Sequence, residues 1–160
     1  MIKIPSFVEN LIPYKAGKNI DELTREKNLS RIVKLASAEN PLGPSPKSVE
    51  AIQKALLGLN RYSDPSAFNL VSALAQKYNI KPNHIVCGHG TDSLLAYIVN
   101  AFTKESDEIL TSNGTFIGIY ITVRKTGRKL VRVPLKKYCF DLDSIYKEIT
   151  DKTEIGRAHV

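Results

Sequence analysis

Paired cysteines, a long apolar run, a leader segment and internal repeats are all missing from this 160-residue sequence. Each absence removes a class of protein. Cys87 and Cys139 stand alone, without the spacing of a zinc site or a disulfide framework. The longest apolar run, Leu94 to Val99, is far too short to span a bilayer, so no membrane partner is expected. The opening MIKIPSFVEN has no apolar stretch of the secretory type. His84 and His89 are separated by a strand-like segment, and Asp92 is the only acid near them, which makes a metal site improbable. Neither cysteine nor any serine has the flanking pattern of a nucleophile elbow. The expectation is a cytoplasmic protein of a reducing compartment with no metal.

What is present is ordinary for a globular chain: 42% hydrophobic and 24% charged residues in 17.8 kDa, enough for one domain with a core. The net charge of +7 comes largely from RKTGRKLVRVPLKK, residues 124–137. A nucleic-acid footprint needs basic residues gathered on one face, often with interleaved aromatics. This stretch reads instead as a helix end, a stop at Gly127 and a strand in which Arg132 alternates with apolar residues. It is taken as a solvated rim, and no nucleic-acid partner is expected.

Along the chain, residues 1–45 read as a polar N-terminal arm and crossing segment. A short helix is expected from Asp21 to Lys27, and a short strand at IVKLAS, residues 32–37. ENPLGPSPKS holds three prolines and a glycine, which force a turn-rich crossing. Ser45 and Pro46 suit a helix start, and Val49, Ile52, Leu56 and Leu59 then lie on one helical face. A second helix is expected from about Ala67 to Tyr78. From residue 84 strands and helices alternate: IVC (85–87), helix 92–102, EILTS (108–112), helix 116–126, KLVRVPL (129–135), helix 141–149. That alternation predicts an α/β fold, a mainly parallel sheet with flanking helices and right-handed crossovers. Ligands of such sheets bind beyond the carboxyl ends of the strands, where CGHGTD and TSNGTF fall.

In CGHGTD, Gly88 and Gly90 remove side-chain bulk, and the helix that follows opens with amides that lack internal partners. Those amides and the helix dipole suit a phosphate. The turn is no dinucleotide fingerprint, because Ser93 stands where a third glycine belongs. Taken alone it reads equally well as a tight turn before a capped helix, with Asp92 as the cap. Phe116 reads equally as a ring projecting over the sheet end or as a core aromatic.

In combination these stretches carry more. LIPYKAGK, KLASAENPLGPSPKSVEAI, NRYSD, IVCGHGTDSL, GTF and VPL…FDLDSI follow in the order and spacing of one family. From about Leu11 to Thr153 the chain resembles histidinol-phosphate aminotransferase and its close relatives among the pyridoxal-phosphate (PLP) transaminases of fold type I. The resemblance implies an N-terminal arm followed by the first half of that fold's large domain, over residues 46–153. It implies PLP as cofactor, an amino donor such as histidinol phosphate, 2-oxoglutarate as acceptor, and a homodimer. Gly90, Thr91 and Asp92 match the residues that grip the cofactor phosphate, and Phe116 matches the ring that stacks on the pyridine. Tyr62, in NRY, matches a tyrosine that reaches a neighbouring subunit's cofactor phosphate. Tyr14 matches a tyrosine of the arm that binds substrate phosphate across the dimer, and Glu39 and Asn40 border the substrate pocket. Departures from the pattern are Ala38 for an Asn, Ser93 for an acid, and Asn113-Gly114 for a proline. Alternatives of the same fold are an aromatic amino-acid aminotransferase and a threonine-phosphate decarboxylase; one of another class is a non-catalytic phosphate-binding module. No lysine here matches the Schiff-base position, so this chain is expected to be inactive by itself, with no catalytic residue of its own.

The last seven residues, EIGRAHV, do not continue the family's apolar strand. A charged residue and Gly156-Arg157 interrupt what should be a nearly continuous apolar run. They can be encoded by GAGATCGGAAGAGCACACGTC, which resembles a short-read sequencing adapter read in frame. Residues 154–160 are therefore expected to be non-native.

Overall fold

The computed structural model of the chain describes residues 3–12 and 17–157. It divides into two compact units, Tyr14–Phe68 and the combination of Met1–Pro13 with Asn69–Val160.

The larger unit begins with a one-turn helix, α1 (Ser6–Glu9). The chain returns to it through α4 (Phe68–Tyr78) and α5 (Gly90–Phe102). Next come β1 (Glu108–Ser112), α6 (Ile117–Lys125) and β2 (Lys129–Val133). A small hairpin, β3 (Leu135–Lys136) and β4 (Cys139–Phe140), precedes α7 (Leu142–Lys147) and β5 (Thr153–Arg157). β1 is the middle strand of a parallel sheet ordered β2-β1-β5. Its register runs from Glu108 opposite Lys129 to Ser112 opposite Val133. All five residues of β1 are buried: Ile109 and Leu110 are apolar, and the polar side chains of Glu108, Thr111 and Ser112 are each bonded to a neighbouring strand. Val99, Ile109, Ile119 and Val123 form the core, with Leu95, Tyr120, Leu130 and Ile155 packed around it. The α/β class with a parallel sheet and flanking helices is thus as expected.

Two expected strands of this unit differ, and one unexpected strand forms. Ile85–Cys87 is extended, with Ile85 at φ −119° and ψ 127°, but it joins no ladder among the described residues. An extended segment becomes a strand only when a neighbour takes its hydrogen bonds. KLVRVPL is cut at Pro134, which has no N–H to donate, and Leu135 turns into the antiparallel hairpin. The hairpin's two loop residues, Lys137 and Tyr138, both have positive φ, at 50° and 64°. TEIGR forms β5 despite its glycine and charges, with Ile109 opposite Ile155. The basic stretch is also less solvated than its composition suggests. Arg128 donates to the Thr103 carbonyl (3.1 Å), the Thr103 hydroxyl (3.2 Å) and the Thr126 carbonyl (2.6 Å), tying the ends of α5 and α6 together. Lys129 pairs with the buried Glu108 at 2.8 Å.

The smaller unit carries α2 (Ile20–Lys27) and α3 (Pro46–Ala55), the latter running on into a short 3-10 turn, Leu56–Gly58. Asn19 caps α2, its side chain accepting from the Glu22 amide at 2.7 Å. Ser45 occupies the cap position of α3 without a side-chain cap bond, and Pro46 follows at the first position. IVKLAS is not a strand; it runs into a turn in which Ser37 and Ala38 have positive φ. No residue from 17 to 68 is buried. Leu35, Leu42 and Leu57 are more than nine-tenths exposed, and Val49 and Ile52 on the apolar face of α3 are exposed as well.

Candidate functional site

The turn after Ile85–Cys87 closes tightly on the first turn of α5. A Cβ on Gly88 would come within 2.6 Å of the Ser93 hydroxyl and 3.0 Å of the Leu94 side chain, so a larger residue there would have to push both aside. Gly90 has φ +77°, the left-handed region glycine enters without strain, and nothing stands within 4 Å of where its Cβ would be. The space above the turn is open at the point where α5 begins. The cap position, His89, offers no side chain to the helix amides. Ser93 turns its hydroxyl to the Gly90 carbonyl at 2.9 Å. Asp92 makes no cap bond, which removes the reading of it as a cap that competes for those amides. Thr91 and Asp92 are exposed beside it.

The Asp92 carboxylate lies instead against the second turn. A Cβ placed on Gly118 would meet the Phe116 ring at 2.3 Å and Asp92 Oδ1 at 2.7 Å. Ring and carboxylate therefore converge on one point, although 24 residues separate them in the chain. Phe116 is 45% exposed and precedes α6 directly, so its ring belongs to the surface of this turn and not to the core. Thr115, beside it, is buried and accepts a bond from Arg157 Nε at 3.2 Å. Gly118 itself lies buried inside α6. Its signal in the sequence was a glycine within a helical apolar pattern, which usually marks a close approach.

The remaining candidates lie in the smaller unit or outside the described residues. Tyr62 is fully exposed. Glu39 is ion-paired with Lys34. Asn40 is engaged within its own turn, its amide donating to the Gly43 carbonyl and its oxygen accepting from the Leu42 amide, both at 3.1 Å. Tyr14 falls outside the described residues. The described residues contain no cluster of three or more metal-ligating side chains and no helix long and apolar enough to cross a membrane.

No family model matches the chain. Curated relatives do. The chain is 39% identical over 148 residues to histidinol-phosphate aminotransferase 1 of Mannheimia succiniciproducens, covering 92% of this chain and 40% of that protein. It is 36% identical over 153 residues to histidinol-phosphate aminotransferase of Anaeromyxobacter sp., covering 95% and 42%. Among solved structures, histidinol-phosphate aminotransferase from Sinorhizobium meliloti in complex with pyridoxal-5'-phosphate superposes with a TM-score of 0.80 at 25% identity, over 95% of this chain and 40% of that one. Thermus thermophilus aspartate aminotransferase shares the fold, with a TM-score of 0.71 at 22% identity. The chain is homologous to the histidinol-phosphate aminotransferases over about two-fifths of their length, and it has the fold of the fold type I aminotransferases.

Proposed function

We propose that this chain is the cofactor-phosphate part of a PLP-dependent transaminase that acts on histidinol phosphate with 2-oxoglutarate, working as a cytoplasmic homodimer. The observation that carries the reading is the open, uncapped start of α5 beside the Phe116 ring, in a chain homologous to such enzymes. The residues present fit the cofactor's phosphate end. Gly90 leaves the space that a phosphate needs, and the first amides of α5 have no side-chain competitor for it. Thr91 adds a hydroxyl, and Asp92 contributes its amide while its carboxylate is held away. Phe116 offers the face of a ring to an aromatic cofactor. When bound, PLP supplies an electron sink for bond breaking at the carbon that bears the donor's amine. This chain's own part is to bind and orient it. Tyr62, Tyr14, Glu39 and Asn40 are assigned to the substrate and to the neighbouring subunit's cofactor on the strength of the family resemblance.

The full-length protein should absorb in the visible with PLP and convert histidinol phosphate in the presence of 2-oxoglutarate. A colourless full-length protein refutes the cofactor. Colour without that turnover transfers the assignment to an aromatic donor or to decarboxylation of a phosphorylated amino acid. For residues 154–160 we propose a non-native origin, supported by the adapter-like nucleotide string that can encode them. An uninterrupted genomic reading frame encoding EIGRAHV would refute it.

A further inference from the structure

The carboxyl end of β1 is held by bonds that come from outside the sheet ladder. Ser112 is completely buried, and its carbonyl accepts a hydrogen bond from the Tyr120 hydroxyl at 2.8 Å. The Ser112 hydroxyl donates to the Val133 carbonyl at 2.8 Å, and the Asn113 amide donates to the same carbonyl at 2.8 Å. Tyr120 is partly buried against the core, and the Arg132 guanidinium lies 5.2 Å from its ring centre. Tyr120 sits one helical turn beyond Phe116 on α6, while Ser112 is the last residue before the turn that carries Phe116. One hydroxyl thus fastens the helix to the strand on the two sides of residues 113–116. Gly114, at φ +82°, would otherwise leave that turn a soft point.

We propose that Tyr120 is a positioning residue: its bond to the Ser112 carbonyl fixes the turn 113–116 and so the placement of the Phe116 ring against an aromatic ligand. The proposal rests on the reading that Phe116 stacks on the cofactor ring. Without the hydroxyl, a buried carbonyl loses its partner and the turn is released at its root. The aromatic body of the residue and its packing would remain in a phenylalanine.

The test compares Tyr120→Phe and Phe116→Ala with the parent in the full-length protein, using pyridoxamine 5'-phosphate and inorganic phosphate as ligands. Affinity for the first reads ring plus phosphate; affinity for the second reads phosphate alone. Phe116→Ala should weaken pyridoxamine phosphate roughly 3- to 10-fold, the range of one aromatic stacking contact, and leave phosphate unchanged. Tyr120→Phe should give a loss in the same direction of about 2-fold or more, again without affecting phosphate. In the ligand-free protein it should also speed amide hydrogen exchange at residues 113–117 and leave residues 109–111 unaltered. Wild-type binding and exchange in Tyr120→Phe overturn the proposal. So does an equal loss of both ligands, which marks general loosening. A Phe116→Ala protein that keeps the full preference for pyridoxamine phosphate refutes the stacking reading. Exchange in Tyr120→Phe then still decides whether the hydroxyl anchors the turn.

Discussion

Gly118 sits in α6 at a point already claimed by a ring and a carboxylate. Both obstacles are the ends of flexible side chains, so an added methyl group should turn them aside and not unfold the helix. Gly118→Ala is expected to keep unfolding stability within about 1 kcal/mol, since the alanine gains helix propensity of that order. It should lower pyridoxamine phosphate affinity as Phe116→Ala does. Parallel urea titration and ligand binding check it, and unchanged binding would show that the convergence of Asp92 and Phe116 has no bearing on the site. Arg128 makes three bonds with one planar fork. Arg128→Ala should cost roughly 2 kcal/mol in urea unfolding. Arg128→Lys should recover less than half of that, because an ammonium cannot reproduce the fork.

Among the elements, two carboxylates act as local staples. Asp64 accepts from the Ser66 hydroxyl (2.7 Å), the Ser66 amide (2.9 Å) and the Phe68 amide (2.9 Å), at the entry to α4. Those bonds, led by the Ser66 hydroxyl, hold its carboxyl below the usual range. Asp141 is held low in the same manner at the start of α7, chiefly by the Ser144 hydroxyl and then its amide. A carboxyl depressed in the folded state stabilises it above the unfolded pKa, near 3.9, and that contribution fades as pH falls through the lower folded value. Far-UV circular dichroism from pH 5 to 2 should therefore show an acid-side loss of helix that Asp64→Asn and Asp141→Asn together make shallower. A profile unchanged by both substitutions would remove the staples from the account. β1 and the helices around it were legible in the sequence because helix-length segments alternate with short strand segments across turns that carry glycine. Ile85–Cys87 was not, since an apolar extended run carries no information about where its ladder partner lies. In KLVRVPL the apolar pattern continues past Pro134 while the ladder does not, because the proline has no N–H to donate. The phosphate turn was visible as glycines before a helix, whereas the approach of Asp92 to Phe116 is a tertiary fact that spacing alone does not contain.

For the whole molecule, the decisive fact is coverage: the chain spans about two-fifths of the length of the curated relatives it matches. The exposed apolar side chains of α3 and its neighbours, and the apolar surface of His84, Val86, Tyr97, Ile98 and Phe102 on the larger unit, are consistent with that. The isolated chain should bind a hydrophobic dye such as anilinonaphthalene sulfonate strongly, and the full-length protein weakly. Equal, weak binding by both would mean that these surfaces are covered within the chain itself.

The pairing of β1 with β2 has one more consequence, for how the molecule comes into being. Glu108 meets Lys129 across a single helix, so strand, helix and strand form a short loop of sequence that closes early at small entropic cost. That loop is shorter than the one closed by pairing Glu108 with Thr153 of β5, and domains assemble in the order in which the ribosome delivers them. Residues 108–133 would then be the nucleus on which later segments condense, and the cradle at α5 would await a partner strand for Ile85–Cys87. In refolding experiments, a substitution within that nucleus such as Val123→Ala should slow the forward rate.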